Sequence, residues 1–179
     1  MLTRYATRLL MLTGLRTIEL RASEWKDIDF EKDIWQIPDE SMKMRRPYIV
    51  PLSSQMKSML EEIHQFTGRS KRILPGRSDA GKPMSEASIN QVIKRIGYDD
   101  KATGHGFRHT MSTILHEQGY NTAWIETQLA YVDKNSICGI YNHAEYLDGR
   151  REMLQWYADY MESLEHGENV IHGKFGNSG

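Results

Sequence analysis

Cysteine is almost missing from this chain, with Cys138 alone among 179 residues. A lone thiol excludes an internal disulfide framework and any zinc site built from clustered cysteines. It predicts a reducing cytoplasm as the compartment. Long apolar runs are missing too: none approaches the roughly 20 residues that a membrane-spanning helix needs. The apolar start, Met1 to Leu12, carries Arg4 and Arg8 and has no small-residue cleavage site, which argues against a signal peptide. Internal repeats and low-complexity tracts are absent. What is there is ordinary for a globular protein: 39% hydrophobic and 26% charged residues, with a mean hydropathy of −0.61. The length predicts one domain with a core of normal size.

The net charge of −1 hides an asymmetry. Residues 1–109 hold 19 basic and 14 acidic groups, whereas residues 110–179 hold 4 and 10. A basic front permits a polyanion partner without establishing one, since solvated surfaces look the same.

Apolar periodicity predicts a helix over Leu2 to Leu12, stopped at Thr13-Gly14, and a short one over Thr17 to Ser23. Three alternating runs follow, at Ile28 to Phe30, Ile34 to Ile37 and Tyr48 to Leu52, and predict a small antiparallel sheet. Helical patterns then occupy Gln55 to Phe66, Ser85 to Ile96 (with Ser85 as N-cap), Gly106 to Gln118, Thr122 to Tyr131, Ser136 to Ala144 and Gly149 to Leu164. A basic Gly/Pro loop spans Arg69 to Pro83. The expected class is α+β, mainly α, with a three-stranded antiparallel sheet on a helical body.

Four separated places can carry chemistry. In Thr13-Gly14-Leu15-Arg16-Thr17-Ile18-Glu19, backbone N–H groups and a guanidinium at a helix start can face one anion. A helix cap with an Arg16–Glu19 pair explains the same residues. Lys43-Met44-Arg45-Arg46 puts cations on a hairpin tip, where they suit phosphate contact or, for Lys43, proton donation. A solvated turn is the plainer alternative. In His105-Gly106-Phe107-Arg108-His109, His105 and Arg108 share a helix face and can hold one anionic oxygen. His105 and His109 at i, i+4 also resemble a two-His metal face, but Arg108 between them opposes a divalent ion. In Tyr141-Asn142-His143, a phenol becomes a nucleophile only if cations or a base stabilise its phenolate. Aromatic packing is its alternative.

Taken together and in this order, Arg16, Lys43, His105, Arg108 and Tyr141 resemble the tyrosine recombinases of the phage-integrase family. The first-arginine motif matches Thr13 to Arg16 with Glu19, and the β-hairpin lysine matches Lys43 before the strand at Tyr48 to Leu52. His-x-x-Arg matches His105 and Arg108, and Tyr-x-His matches Tyr141 and His143. Leu129 to Tyr160 is similar to integrases of enterobacterial prophages and genomic islands. The resemblance covers about residues 5–164. It departs from the family at Tyr131, where a His or Trp usually donates to the scissile phosphate; a tyrosine can donate but cannot be cationic.

The resemblance implies a catalytic domain over 1–164, with a flexible or partner-docking tail over 165–179. It also implies that the family's upstream core-binding and arm-binding domains are absent from this chain. The implied activity is site-specific strand cleavage and rejoining through a 3′-phosphotyrosyl link at Tyr141, for integration or excision. Arg16, Arg108 and Tyr131 would hold the phosphate, Lys43 would act as general acid, His105 would be the acid/base nearest Tyr141, and Glu19 and His143 would support. No cofactor and no metal is expected. The alternative is a catalytically impaired DNA-binding module of the same fold. Double-stranded DNA is the expected partner, with Arg45, Arg46, Arg69, Lys71, Arg72, Arg77, Lys94 and Arg95 as phosphate contacts. A monomer in free solution is expected to form a tetramer on DNA, with accessory bending or directionality proteins. No membrane is involved. The expected location is the bacterial cytoplasm, associated with the nucleoid when DNA is bound.

Overall fold

The computed structural model describes residues 1–37, 48–99, 101–130 and 146–167. Helix α1 (Leu2–Thr13) is its centre. Ala6, Leu9 and Leu10 recur at helical spacing and are fully buried. A leucine sealed from water contributes about 1.5–3 kcal/mol, so this stripe anchors the helix firmly. Helix α1 ends where the sequence predicts: Gly14 is left-handed (φ 64°) and donates its N–H to Leu10. Helix α2 (Thr17–Ala22) starts three residues later, after a turn that projects Arg16.

A short 3₁₀ turn (Trp25–Asp27) leads into strands β1 (Ile28–Asp29), β2 (Ile34–Ile37) and β3 (Tyr48–Pro51). They form one antiparallel sheet in the order β1-β2-β3, as the alternation predicts. Ile37 pairs with Tyr48, and Trp35, fully buried, pairs with Val50. The β2–β3 connection lies outside the described residues. Helix α3 (Ser54–Thr67) is capped by the Ser53 hydroxyl, which accepts from the Met56 N–H.

Helices α4 (Ala87–Arg95), α5 (Gly106–Glu117), α6 (Thr122–Gln128) and α7 (Leu147–His166) complete the body. Helix α1 packs against α3, α4, α5 and α7, while α7 also backs β3. Two sequence expectations need correction here. Ser85 is not the N-cap of α4: that position is Glu86, and Ser85 only accepts the Ser88 N–H on its backbone carbonyl. Helix α6 stops at Gln128 rather than Tyr131, because Ala130 takes a positive φ of 46°, which a right-handed helix cannot contain. The predicted helix at Ser136 to Ala144 lies outside the described residues. No described helix is long and apolar enough to cross a membrane.

Candidate phosphate-binding site

Three chain ends meet beside Gly14. The Arg16 turn leaves the end of α1, Arg108 stands in the first turn of α5, and Leu129 follows α6. Arg108 joins them. Its two Nη atoms donate to the carbonyls of Gly14 and Leu129, and its side chain is 2% exposed. A planar fork suits two carbonyls at a fixed spacing in a way an ammonium does not. Gly14 is tightly packed: a Cβ there would lie 2.8 Å from both Leu129 Cδ2 and Met111 Sδ. The turn therefore needs glycine for its backbone angle and for its closeness to α5 and to Leu129.

Arg16 sits two residues beyond that turn and is half-buried. Glu19 grips it twice: Oε2 accepts from the Arg16 N–H at 2.8 Å, and Oε1 accepts from Nη1 at 2.7 Å. Glu19 is itself 1% exposed, so one carboxylate fixes both the start of α2 and the direction of the guanidinium. The pairing expected at i, i+3 is present.

His105 is exposed at the N-terminal edge of α5, one turn from Arg108. The first turn is held by Thr103, whose Oγ1 accepts from the Gly106 N–H at 2.9 Å. The His105 and His109 rings meet edge to face at 5.1 Å. Among the described residues no group of three or more His, Cys, Asp or Glu could hold a metal.

The structure thus brings the Arg16 turn, Glu19, His105 and Arg108 into one region. Lys43, Tyr131, Tyr141 and His143 lie outside the described residues, as do Arg45 and Arg46. Of the other candidate DNA contacts, Arg69, Arg77 and Arg95 are exposed and carry no ion pair among the described residues. The rest are engaged by the fold. Arg72 donates to the carbonyls of Ala22 and Gly81, Lys71 pairs with Glu24 at 3.0 Å, and Lys94 pairs with Asp99 at 2.7 Å.

Sequence reasoning missed a buried polar network directly beneath this site. Arg150 of α7 is fully buried. It donates to Gln128 Oε1 (2.7 Å from Nη2) and to the Ile49 carbonyl (2.6 Å), with its guanidinium carbon 5.3 Å from the Tyr48 ring centroid. Burial pulls Arg150 below its ordinary pKa, and burial also pushes the Tyr48 phenol up to about 12. The Tyr48 hydroxyl donates to the Gln128 carbonyl. A signal for Arg150 exists in the sequence. It stands at i of the stripe continued by Met153, Leu154 and Tyr157, all buried, so its position marks it as an inward-facing cation.

Comparison with known proteins agrees with this architecture. A family model described as the phage integrase family matches residues 1–147. The chain is 46% identical over 158 residues to the integrase of Shigella phage Sf6, covering 88% of this chain and 41% of the relative. The prophage integrase IntS of Escherichia coli (strain K12) gives the same identity and coverage. The chain therefore spans about two fifths of the length of these curated relatives. Among solved structures, the integrase of transposon Tn1549 in complex with circular intermediate DNA shares the fold, with a TM-score of 0.57 and 20% identity over 83% of this chain and 56% of that one. The family match over most of its length and the identity to these integrases show that the chain belongs to the phage integrase family.

Proposed function

We propose that this chain is the catalytic domain of a site-specific DNA recombinase that cuts and rejoins strands through Tyr141. The observation that carries this reading is Arg108 seated on the Gly14 carbonyl, which ties the His-x-x-Arg motif to the turn that presents Arg16. Acting together, Arg16 and Arg108 would suit the non-bridging oxygens of a phosphodiester, where charge accumulates in the transition state.

The Tyr141 oxygen attacks the scissile phosphorus, and the bond from phosphorus to the 5′-oxygen breaks. His105 takes the phenol proton, and Lys43 gives a proton to the departing 5′-oxygen. The product is a 3′-phosphotyrosyl link and a free 5′-hydroxyl. A 5′-hydroxyl from a second strand then attacks the link and restores the phenol. Bond energy is kept throughout, so no nucleotide cofactor enters. Arg16, Arg108 and Tyr131 hold the phosphate, while Glu19 orients Arg16 and His143 supports Tyr141.

The domain spans 1–164 and the tail 165–179. The substrate is double-stranded DNA at an attachment site, and the protein works as a monomer that assembles into a tetramer on DNA in the bacterial cytoplasm. The exposed Arg69, Arg77 and Arg95 supply phosphate contacts, and binding by this chain alone is weak and salt-sensitive.

The test is a duplex nicked near the cleavage site, which traps the covalent product. An adduct that vanishes in Tyr141→Phe supports the reading. DNA binding with no adduct at high protein concentration overturns it in favour of a binding module.

A further inference from the structure

The buried pair Arg150 and Gln128 links four parts of the fold that the reaction needs in register. Gln128 uses both ends of its amide. Its Oε1 accepts from Arg150 Nε at 3.2 Å and Nη2 at 2.7 Å, and its Nε2 donates to the Thr13 carbonyl at 2.7 Å. Thr13 is the last residue of α1, directly before Gly14. The neighbouring Leu129 and Gly14 carbonyls are those that Arg108 holds. On the other side, Arg150 Nη2 also reaches the Ile49 carbonyl on β3, the strand that follows the Lys43 hairpin.

Arg150 is an expensive choice for this position. It is 0% exposed, and among the described residues it faces no carboxylate and its Nη1 makes no hydrogen bond. An apolar residue of similar size would pack there at lower desolvation cost. What an apolar residue cannot supply is a fork that fixes an amide side chain and a strand carbonyl at once.

We propose that Arg150 and Gln128 are positioning residues for strand transfer. Together they set the Arg16 turn, the Arg108 seat and strand β3 in one rigid arrangement, and they tie it to α7, which follows the Tyr141 segment. Neither touches DNA. The inference rests on the strand-transfer reading above and deepens it.

Gln128→Glu is the informative variant. It keeps an acceptor for Arg150 and gives that buried cation a counter-ion, but it removes the donor to the Thr13 carbonyl. A network that only stabilises the fold would lose stability with this change, but the folded variant would cleave normally. A positioning network would lose cleavage in the folded variant. Expected is a loss of about a hundredfold in single-turnover adduct formation, the scale of a displacement near 1 Å. The melting temperature should fall by only a few degrees, because one buried carbonyl loses its donor while Arg150 gains a counter-ion. On a duplex with a neutral methylphosphonate at the scissile position, the gap between parent and variant should shrink to within about tenfold, because the guanidinium pair has less charge to stabilise.

Cleavage within about threefold of the parent overturns the proposal. So does an equal loss on both duplexes that follows a fall in melting temperature. If the parent itself forms no adduct, the strand-transfer reading fails first, and amide exchange over residues 13–20 then decides the positioning. Faster exchange there in Gln128→Glu, with α3 unchanged, sustains it; unchanged exchange removes it.

Discussion

The guanidinium of Arg108 is seated on the carbonyl of Gly14, 94 residues earlier in the chain, and that one contact joins two of the motifs on which the function rests. It also makes Arg108 a structural residue and a proposed catalytic one together. Arg108→Lys keeps the charge and loses the fork, which leaves a buried carbonyl at Gly14 or Leu129 short of its donor. Expected is a stability loss of about 1–3 kcal/mol in denaturant unfolding. Adduct formation should fall by about a hundredfold or more, since a transition-state donor is displaced. A stable lysine variant with normal cleavage would separate this guanidinium from the chemistry.

Gly14→Ala tests the same junction from the backbone side. The left-handed φ of 64° costs a residue with a Cβ about 1–2 kcal/mol, and the new methyl would press on Leu129 and Met111 at 2.8 Å. Crowding of a packed core adds roughly 1–3 kcal/mol. The variant should therefore unfold at clearly lower denaturant concentration and lose cleavage along with it. A midpoint unchanged from the parent would mean that the junction is looser than its geometry.

Tyr48 gives the protein an alkaline limit. Its phenol is pushed up to about 12 by burial, against about 10 in an unfolded chain. Folding then favours the protonated form, so this contribution is complete below pH 10 and fades as pH rises through 12. Between pH 9 and 11.5 the loss is about 2 kcal/mol. Tyr120, also pushed up to about 12, and the raised Tyr157 add to the same trend. Tyr48→Phe should be less stable at neutral pH, where it loses its bond to Gln128, but should show a shallower decline above pH 10. Urea titrations at pH 8, 9, 10 and 11 would show whether the two curves converge.

Much of this architecture was readable from residue order. Gly14 after an apolar helical stripe foretold the left-handed stop. The alternation at Ile34 to Ile37 and Tyr48 to Pro51 foretold the sheet: Trp35, Ile37, Tyr48 and Val50 share one buried face, while Ile34 and Pro51 on the other face are buried as well. What stayed hidden depends on tertiary partners. Ala130 carries no turn chemistry of its own, so nothing local announces the end of α6 before Tyr131. Ser85 looked like a cap, yet Glu86 takes that position. The stripe on α7 marks Arg150 as inward-facing, but its partners Gln128 and the Ile49 carbonyl emerge only when α6, α7 and β3 are packed together. Lys71, Arg72 and Lys94 read as DNA contacts, and the ion pairs and carbonyls they also meet depend on partners the local sequence does not announce. For Lys43, Tyr131 and Tyr141, order along the chain remains the argument.

The division among the basic residues has a measurable consequence. A side chain that neutralises a phosphate changes the slope of log affinity against log salt by about one. Arg77→Ala and Arg95→Ala should each lower that slope by about one, uniformly across DNA sequences. Lys94→Ala should leave it nearly unchanged, because the ion pair to Asp99 already occupies that ammonium. Fluorescence anisotropy over a salt series would measure all three, and an equal effect of the lysine and arginine changes would count against the pairing as the sorting rule.

Lys43 can be tested by the chemistry of the group it is proposed to serve. A 5′-oxygen leaving as alkoxide needs a proton, whereas a 5′-sulfur leaves as thiolate, with a pKa near 8.5 for an ordinary thiol, and needs none at neutral pH. On an ordinary nicked duplex, Lys43→Ala should slow adduct formation by about 10²–10⁴, the usual worth of a general acid. On a duplex with sulfur at the scissile 5′ position, the same variant should come within about tenfold of the parent. Arg108→Lys should show no such recovery, because the charge on the non-bridging oxygens is the same for both leaving groups. If sulfur rescues the two variants equally, proton donation does not belong to Lys43; if it rescues neither, the lysine acts on the phosphate itself.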